Sequence, residues 1–375
     1  RDLGNVALMP ALVNAHTHLE FSHLRQPLGQ PGMRLVDWIR LVIAERGQYA
    51  GQVGECIAAG VRESIAEGVL TIGEIVGAAS GEAFYSELPA ECARGGSLLF
   101  LEVIGFSRAR AASVLNSLEQ RLDAMHGTSG IQLGISPHAP YTVSPDLLKR
   151  LVSLANQRRL PMAMHLAESG DELELLANGN GPFQELLDER NMWDAAAIPH
   201  GSRPLDYLRM LVEAPRSLVI HGSYLDGEER AFVAAHADRM SLVFCPRTHA
   251  YFGHPPYPLV ELLTGGVRVA LGTDSRASNP DLNLLAEMRL VAKLYPEISP
   301  ATILRMGTLS GAEALGRAAD VGSLTPGKWA DLVAVPLPGD TRGAADEMLA
   351  AWLHSSEGPS AVWARGRECL PETGR

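Results

Sequence analysis

His16 and His18 stand two residues apart in VNAHTHLEFS, residues 13–22, at the end of the apolar run ALVNA. Side chains at i and i+2 of a β-strand point to one face, so two imidazoles placed this way can grip a single metal ion. Other ionisable groups share the setting, each near the end of a short apolar run. They are His138 in IQLGISPHA, His165 and Glu168 in LPMAMHLAE, His221 in SLVIHGSYL and Asp274 in VRVALGTDS. His165 and Asp274 would complete a shell with His16 and His18. Three imidazoles and one carboxylate suit Zn²⁺, and Fe²⁺ is compatible with the same donors. With 12 histidines in the chain, an HxH arises by chance roughly 0.4 times, so the motif alone says little. Ionisable groups at the ends of five apolar strands say more, because burying them without a task is costly.

The elements that must carry these groups are legible as well. Eight short apolar runs recur: residues 11–18, 69–76, 97–105, 131–139, 160–168, 217–225, 240–248 and 267–275. Amphipathic stretches such as VDWIRLVIAER, SPDLLKRLVSLANQ and EERAFVAAHAD lie between most of them. Strands alternating with helices predict an α/β fold, a (β/α)8 TIM barrel, whose active site gathers at the C-terminal ends of the strands. An open doubly wound sheet is the rival, but it more often places a Gly-rich loop after its first strand, where this chain has His-Thr-His. Past residue 318 the texture changes to GSLTPGKWADLVAVPLP and AVWARGREC, which predicts a small accessory β domain. The expected division is a remnant of an N-terminal β segment over 1–10, the barrel over 11–318 and the C-terminal part of the β domain over 319–375. The long segment 169–216, with its NGNGP loop, is placed to shape the mouth of the site.

Composition narrows the function. A net charge of −11 argues against a nucleic-acid partner, which requires clustered Lys and Arg. No apolar run reaches the length of about 18 residues that a membrane span needs. The four cysteines, Cys56, Cys92, Cys245 and Cys369, are scattered without a CxxC, as expected of reduced thiols in a cytoplasmic protein. A small-molecule substrate is the expected partner, and a homodimer is the default for such a fold. The chain opens on Arg1 rather than Met, which suggests processing or missing preceding residues.

Taken in order, HTH after LVNA, SPHAPYTVS, HLAES, VIHG, FCP, LGTDS and the tail GSLTPGKWADLV resemble the amidohydrolase superfamily, in particular its mononuclear deaminase and chlorohydrolase branch. The resemblance spans nearly the whole chain. It implies a metal held by His16, His18, His165 and Asp274, with Glu168 as proton carrier, His221 at the reacting centre and His138 on the substrate. Strands three and four do not end in a lysine that could bridge two metals. Glu102 lies within strand three, but one divalent ion remains the expectation, Zn²⁺ first and Fe²⁺ second. Three departures stand out. The family usually carries about 50 residues of β structure ahead of the first barrel strand, which this chain lacks. Met9-Pro10-Ala11 replaces a Pro-Gly. CPRTH at 245–249 stands where many deaminases read CP-x-SN, so the substrate is not simply inherited. LEFS and DWIRLVIAER are most similar to aminofutalosine deaminases, and S-adenosylhomocysteine deaminases match less well.

The reaction implied is hydrolytic removal of an exocyclic amine from an aromatic amidine ring of aminated purine, nucleoside or pterin type. The metal lowers the pKa of a bound water from 15.7 to about 7. Glu168 takes its proton and delivers it to the ring nitrogen beside the attacked carbon. His221 polarises the developing oxygen centre, and Asp274 accepts the second proton. Trp38 could wall the pocket or simply pack in the core. Glu20 could touch substrate or bond the first loop. Arg247 or Arg276 could grip an anionic group or pair with a nearby acid. Asn279 is expected to fix the loop after the eighth strand. Two alternatives stand: another hydrolysis at the same site, as in a ring chlorohydrolase or cyclic amidase, and a metal-free, non-catalytic barrel.

Overall fold

The computed structural model describes residues 2–77, 96–125, 132–339 and 343–369. In chain order its strands are β1 (Val6–Pro10), β2 (Leu12–Thr17), β3 (Val69–Val76), β4 (Leu98–Val103), β5 (Gln132–Pro137) and β6 (Met162–Leu166). They continue with β7 (Ser217–His221), β8 (Met240–Phe244), β9 (Val269–Leu271), β10 (Leu332–Pro336), β11 (Ala361–Ala364) and β12 (Arg367–Glu368). β2 to β9 form one eight-stranded sheet in sequence order, each parallel to the next. A parallel bridge from Thr17 to Asp274 joins its first and last strands. The result is a nearly closed barrel, and the eight sequence runs are its eight strands. Both faces of a parallel sheet are covered, so its strands read as continuous apolar runs. β3, VLTIGEIV, is buried at every position.

The helices between the strands follow from their apolar spacing. Pro145–Arg158 starts at Ser144, whose hydroxyl accepts from the Leu147 N–H, with proline at the first helical position. It buries Leu147, Leu148, Leu151, Val152, Leu154 and Ala155 on one stripe and stops at Arg159, in the left-handed conformation at φ 56°. Beside the barrel lies a second sheet in the order β1-β10-β11-β12, antiparallel throughout. Here the first strand of the chain pairs with one more than 300 residues away: Val6 faces Pro336 and Pro10 faces Leu332. Between β10 and β11 the chain forms the helix Ala345–His354, which buries Trp352 and Leu353. This helix lies between the two stretches, GSLTPGKWADLVAVPLP and AVWARGREC, whose texture predicts the small β domain.

The register of β2 against β3 is irregular, and this bears on the chemistry. Val13 and Ala15 of β2 pack with Phe100, Ala163, Ile220, Val243 and Ala270 in one buried cluster. Strict alternation would then turn Thr17 toward that cluster and His16 away from it. Instead Asn14 lies opposite Ile72 while Thr17 lies opposite Glu74, three steps on β2 against two on β3. The extra residue is a bulge that follows an opposite shift between Leu12 and Val13, and past it His16 and His18, which share a face by their i, i+2 spacing, both lie beside His165. β9 packs close against this bulge at Gly272, where a Cβ would lie 2.9 Å from the His16 carbonyl oxygen.

Candidate active site

At the C-terminal ends of the barrel strands, His16, His18 and His165 bring a ring nitrogen each within 4.8 Å of one another. His16, His221 and Asp274 form a second such group sharing His16. Asp274 Oδ1 lies 3.6 Å from His16 Nε2 and 3.8 Å from His18 Nε2. His16 is fully buried, and neither of its ring nitrogens has a hydrogen-bond partner among the described residues; the same holds for His18 Nδ1. A buried polar atom without a partner is costly. Several converging on one point fit a cation that takes their lone pairs. The protonation states agree. Burial holds the His18 and His165 imidazoles well below their usual value, with the His16 ring adding to it, so both are neutral and able to donate a lone pair. Burial pushes the Asp274 carboxyl up, but His16, His221 and His18 around it hold it well below the usual range, as an anion.

Each group is fixed from behind. His165 Nδ1 lies 2.9 Å from the His138 carbonyl oxygen and donates to it, which leaves Nε2 free to act as the ligand. Ser278 Oγ donates to Asp274 Oδ2 at 3.2 Å, and Thr17 Oγ1 donates to the Asp274 carbonyl at 2.9 Å. Three residues at the ends of strands, Ala167, His221 and Asp274, hold positive φ of 54°, 65° and 57°. Non-glycine residues rarely adopt this conformation, and such strain concentrates where structure serves function. Glu168 faces His221, with Oε1 to Nε2 at 3.4 Å. Burial first, then Asp274 and Glu172, raise the Glu168 carboxyl well above its usual value, so it readily holds a proton. This side chain can therefore both accept and return a proton.

His18, His165, Glu168, His221 and Asp274 line a cavity whose walls also include Leu35, Trp38, Ile39, Val42, Phe183 and Met192. His138 lies in its wall, its Nδ1 2.7 Å from Thr142 Oγ1. Burial lowers His138 to about 3, Arg46 and His16 adding to it, so it meets a ligand as a neutral ring. Trp38 lines the cavity, packs edge-on against Phe252, and its Nε1 donates to the Ala277 carbonyl at 2.9 Å. Glu20 is bonded by Arg46, which itself lines the cavity. Arg247 corrects an expectation. Its guanidinium is engaged by both Asp281 oxygens, at 2.6 and 3.0 Å, and it is not a cavity wall residue. Arg276 is likewise bound, to Glu63 and the Leu24 carbonyl. Asn279 holds the loop as expected, donating to the Thr273 carbonyl and to Glu287. Glu102 sits near Arg46, 3.7 Å away, and is in neither donor group.

Sequence reasoning missed the buried carboxylates behind the site. Both oxygens of Glu74 accept from the Leu19 N–H, at 3.0 and 3.1 Å, just past His18. Glu287 accepts from the Arg247 N–H and Asn279 Nδ2. Glu172 accepts from the Ala167 and Glu168 N–H groups. A glutamate inside an apolar strand or on the apolar face of a helix was the signal available for all three. Among the described residues, Cys56, Cys245 and Cys369 are free thiols, while Cys92 lies outside them. No helix among the described residues is long and apolar enough to cross a membrane.

The chain matches the model of the amidohydrolase family over residues 7–367. A 5-methylthioadenosine/S-adenosylhomocysteine deaminase of Pelotomaculum thermopropionicum is 32% identical over 355 residues, 88% of this chain and 72% of the relative. An aminodeoxyfutalosine deaminase of Deinococcus radiodurans is 30% identical, covering 84% of this chain and 74% of the relative. Among solved structures, an adenosine deaminase from Xanthomonas campestris with bound zinc has a TM-score of 0.75 at 28% identity, over 98% of this chain and 81% of that one. Helicobacter pylori aminofutalosine deaminase, in complex with methylthio-coformycin, has a TM-score of 0.82 over 98% of this chain and 87% of that one; at 24% identity this likeness speaks for the fold.

Proposed function

The chain belongs to the amidohydrolase family, and from that premise we propose that it is a metal-dependent hydrolytic deaminase that removes the exocyclic amine of an adenosine-type nucleoside. The observation that carries this reading is the Glu168–His221 pair, 3.4 Å apart, lining one cavity with His18 and His165. Such a pair serves a reaction that moves protons next to a developing oxygen centre. The deaminase names of the relatives support the same chemistry.

We assign the cation to His16, His18, His165 and Asp274. Zn²⁺ is our first choice, supported by the donor set and by the zinc of the Xanthomonas campestris structure. When bound, it supplies Lewis acidity that makes water a nucleophile at neutral pH. Glu168 takes a proton and hands it to the ring nitrogen next to the amine-bearing carbon, which makes that carbon electrophilic. His221 is aimed at the new oxygen. Asp274 accepts the second proton and passes it to the departing amine, so the tetrahedral carbon collapses to the carbonyl and ammonia leaves. His138 orients the ring through a neutral imidazole, and the apolar walls take the remainder of the nucleoside.

The test is ammonia release from adenosine, 5-methylthioadenosine, S-adenosylhomocysteine, aminofutalosine and aminopterins, with chloride release from chlorinated triazines scored in parallel. Ammonia from a nucleoside, abolished by Glu168→Gln, is the expected result. Chloride release, or ammonia surviving Glu168→Gln at a near-normal rate, would overturn it.

A further inference from the structure

We propose that Glu172 is a positioning residue, whose carboxylate clasps the turn that presents Glu168 and so holds Glu168 in register with His221. The proposal rests on the reading of Glu168 as proton carrier.

Glu172 is fully buried, at 0% exposure. Its Oε1 accepts from the Ala167 N–H at 2.7 Å and its Oε2 from the Glu168 N–H at 3.0 Å. Ala167 is the residue held at φ 54°. The carbonyl side of the same turn is tied to the segment after His221: the Leu166 oxygen accepts from Gly222 at 3.1 Å and the Ala167 oxygen from Tyr224 at 2.9 Å. The two sides together fix where Glu168 sits relative to His221.

The molecule contains its own control. Ser169-x-x-Glu172 and Asp226-x-x-Glu229 both carry the signature in which a helix's third residue reaches back to its N-cap N–H. Glu229 does so, accepting from the Asp226 N–H at 2.9 Å while Asp226 accepts from the Glu229 N–H at 3.0 Å, and its other oxygen accepts from the Leu205 N–H at 3.1 Å, away from the site. Ser169 performs its half, accepting from the Glu172 N–H at 3.3 Å. The Glu172 carboxylate passes over Ser169 and bonds the two residues before it. It has therefore been diverted from closing its own helix to holding the turn that carries Glu168. Burial raises the Glu172 carboxyl to about 7, with Glu229 adding to it, and the Ala167 and Glu168 N–H groups are what pull it back. A carboxylate buried this way is a poor device for stability alone.

The experiment compares Glu172→Gln with Glu229→Gln in the zinc-loaded full chain. In Glu172→Gln the side-chain amide would keep one acceptor and set an NH₂ group against the other N–H. We expect kcat to fall about 10- to 100-fold, the scale of a misplacement near 1 Å, with KM within about threefold and zinc content unchanged. Glu229→Gln should keep kcat within about twofold despite losing its own cap bond. Hydrogen exchange should quicken in the peptide spanning 165–169 of Glu172→Gln and not in that spanning 240–248. Wild-type kcat in Glu172→Gln, an equal loss in Glu229→Gln, or unchanged exchange at 165–169 would overturn the proposal. Glu172→Asp, one methylene shorter, is read by the same ratios if Glu172→Gln does not fold. A wild type silent toward every nucleoside would sink the deaminase reading, while the exchange measurement still decides the clasp.

Discussion

A buried imidazole with neither nitrogen bonded, as at His16, is stable only if something else takes its lone pair. This argues that the ring cluster is held together by a cation rather than by its own contacts. Replacing His165 by Asn removes one donor and leaves the His138 carbonyl without its ring partner. Zinc content measured by atomic absorption should fall well below one equivalent. Glu168→Gln should keep its metal, because Glu168 pairs with His221 and is in neither donor group. Its kcat should fall by about 10²–10⁴, the usual contribution of a positioned acid–base group, at near-normal metal content. The two variants thus separate ligand from proton carrier.

The site loops are anchored by buried carboxylates on neighbouring elements. Glu287, on the helix Leu284–Leu294, bonds the Arg247 N–H after β8 and the Asn279 amide after β9. Glu287→Ala removes the partner of the part-buried Arg247 N–H and of one N–H of the buried Asn279 amide, which should cost about 1–3 kcal/mol for a buried donor left without a partner. Denaturant unfolding would read the loss, with kcat falling too because Asn279 also holds the Thr273 carbonyl, next to Asp274. The elements themselves were legible in the sequence. Each barrel strand announced itself by its apolar run, because a parallel sheet buried on both faces has little room for polar residues. The helix Ala345–His354 was not legible, and its place depends on burying Trp352 and Leu353 against the rest of the fold.

For the whole molecule, the site lies where the barrel closes, since Thr17 and Asp274 bridge the first and last strands of the sheet. A cation held by His16, His18 and Asp274 would tie that seam from both sides. Chelation should lower the Tm, and excess zinc should restore it; at 100 times Kd the stabilisation is about 2.7 kcal/mol. His18→Ala should show a much smaller response to either treatment. Acid sensitivity has a separate source in His254, which burial and then His249 lower to about 4. The unfolded chain, with a histidine near 6.5, binds more protons there between about pH 6.5 and about pH 4. Stability therefore falls as the pH drops through that window, and His254→Asn should show a shallower fall in Tm over the same range.

The sequence by itself determined the eight strands, the helices between them and the set of residues at the strand ends, because burial writes its periodicity into the chain and leaves chemistry-bearing residues as its exceptions. It also carried the family, through motifs kept in order. Only the tertiary structure decided the rest. Past the register shifts of β2, His16 and His18 lie beside His165, a placement that alternation from Val13 and Ala15 does not give. Arg247 and Arg276 are bound to acids that come from distant parts of the chain or from its loops. Glu172 looks in sequence like a helix cap and in space holds the turn before Glu168. Hydrogen-bond partners and ion pairs form between elements, and which elements meet is fixed by packing, which no local stretch of sequence records.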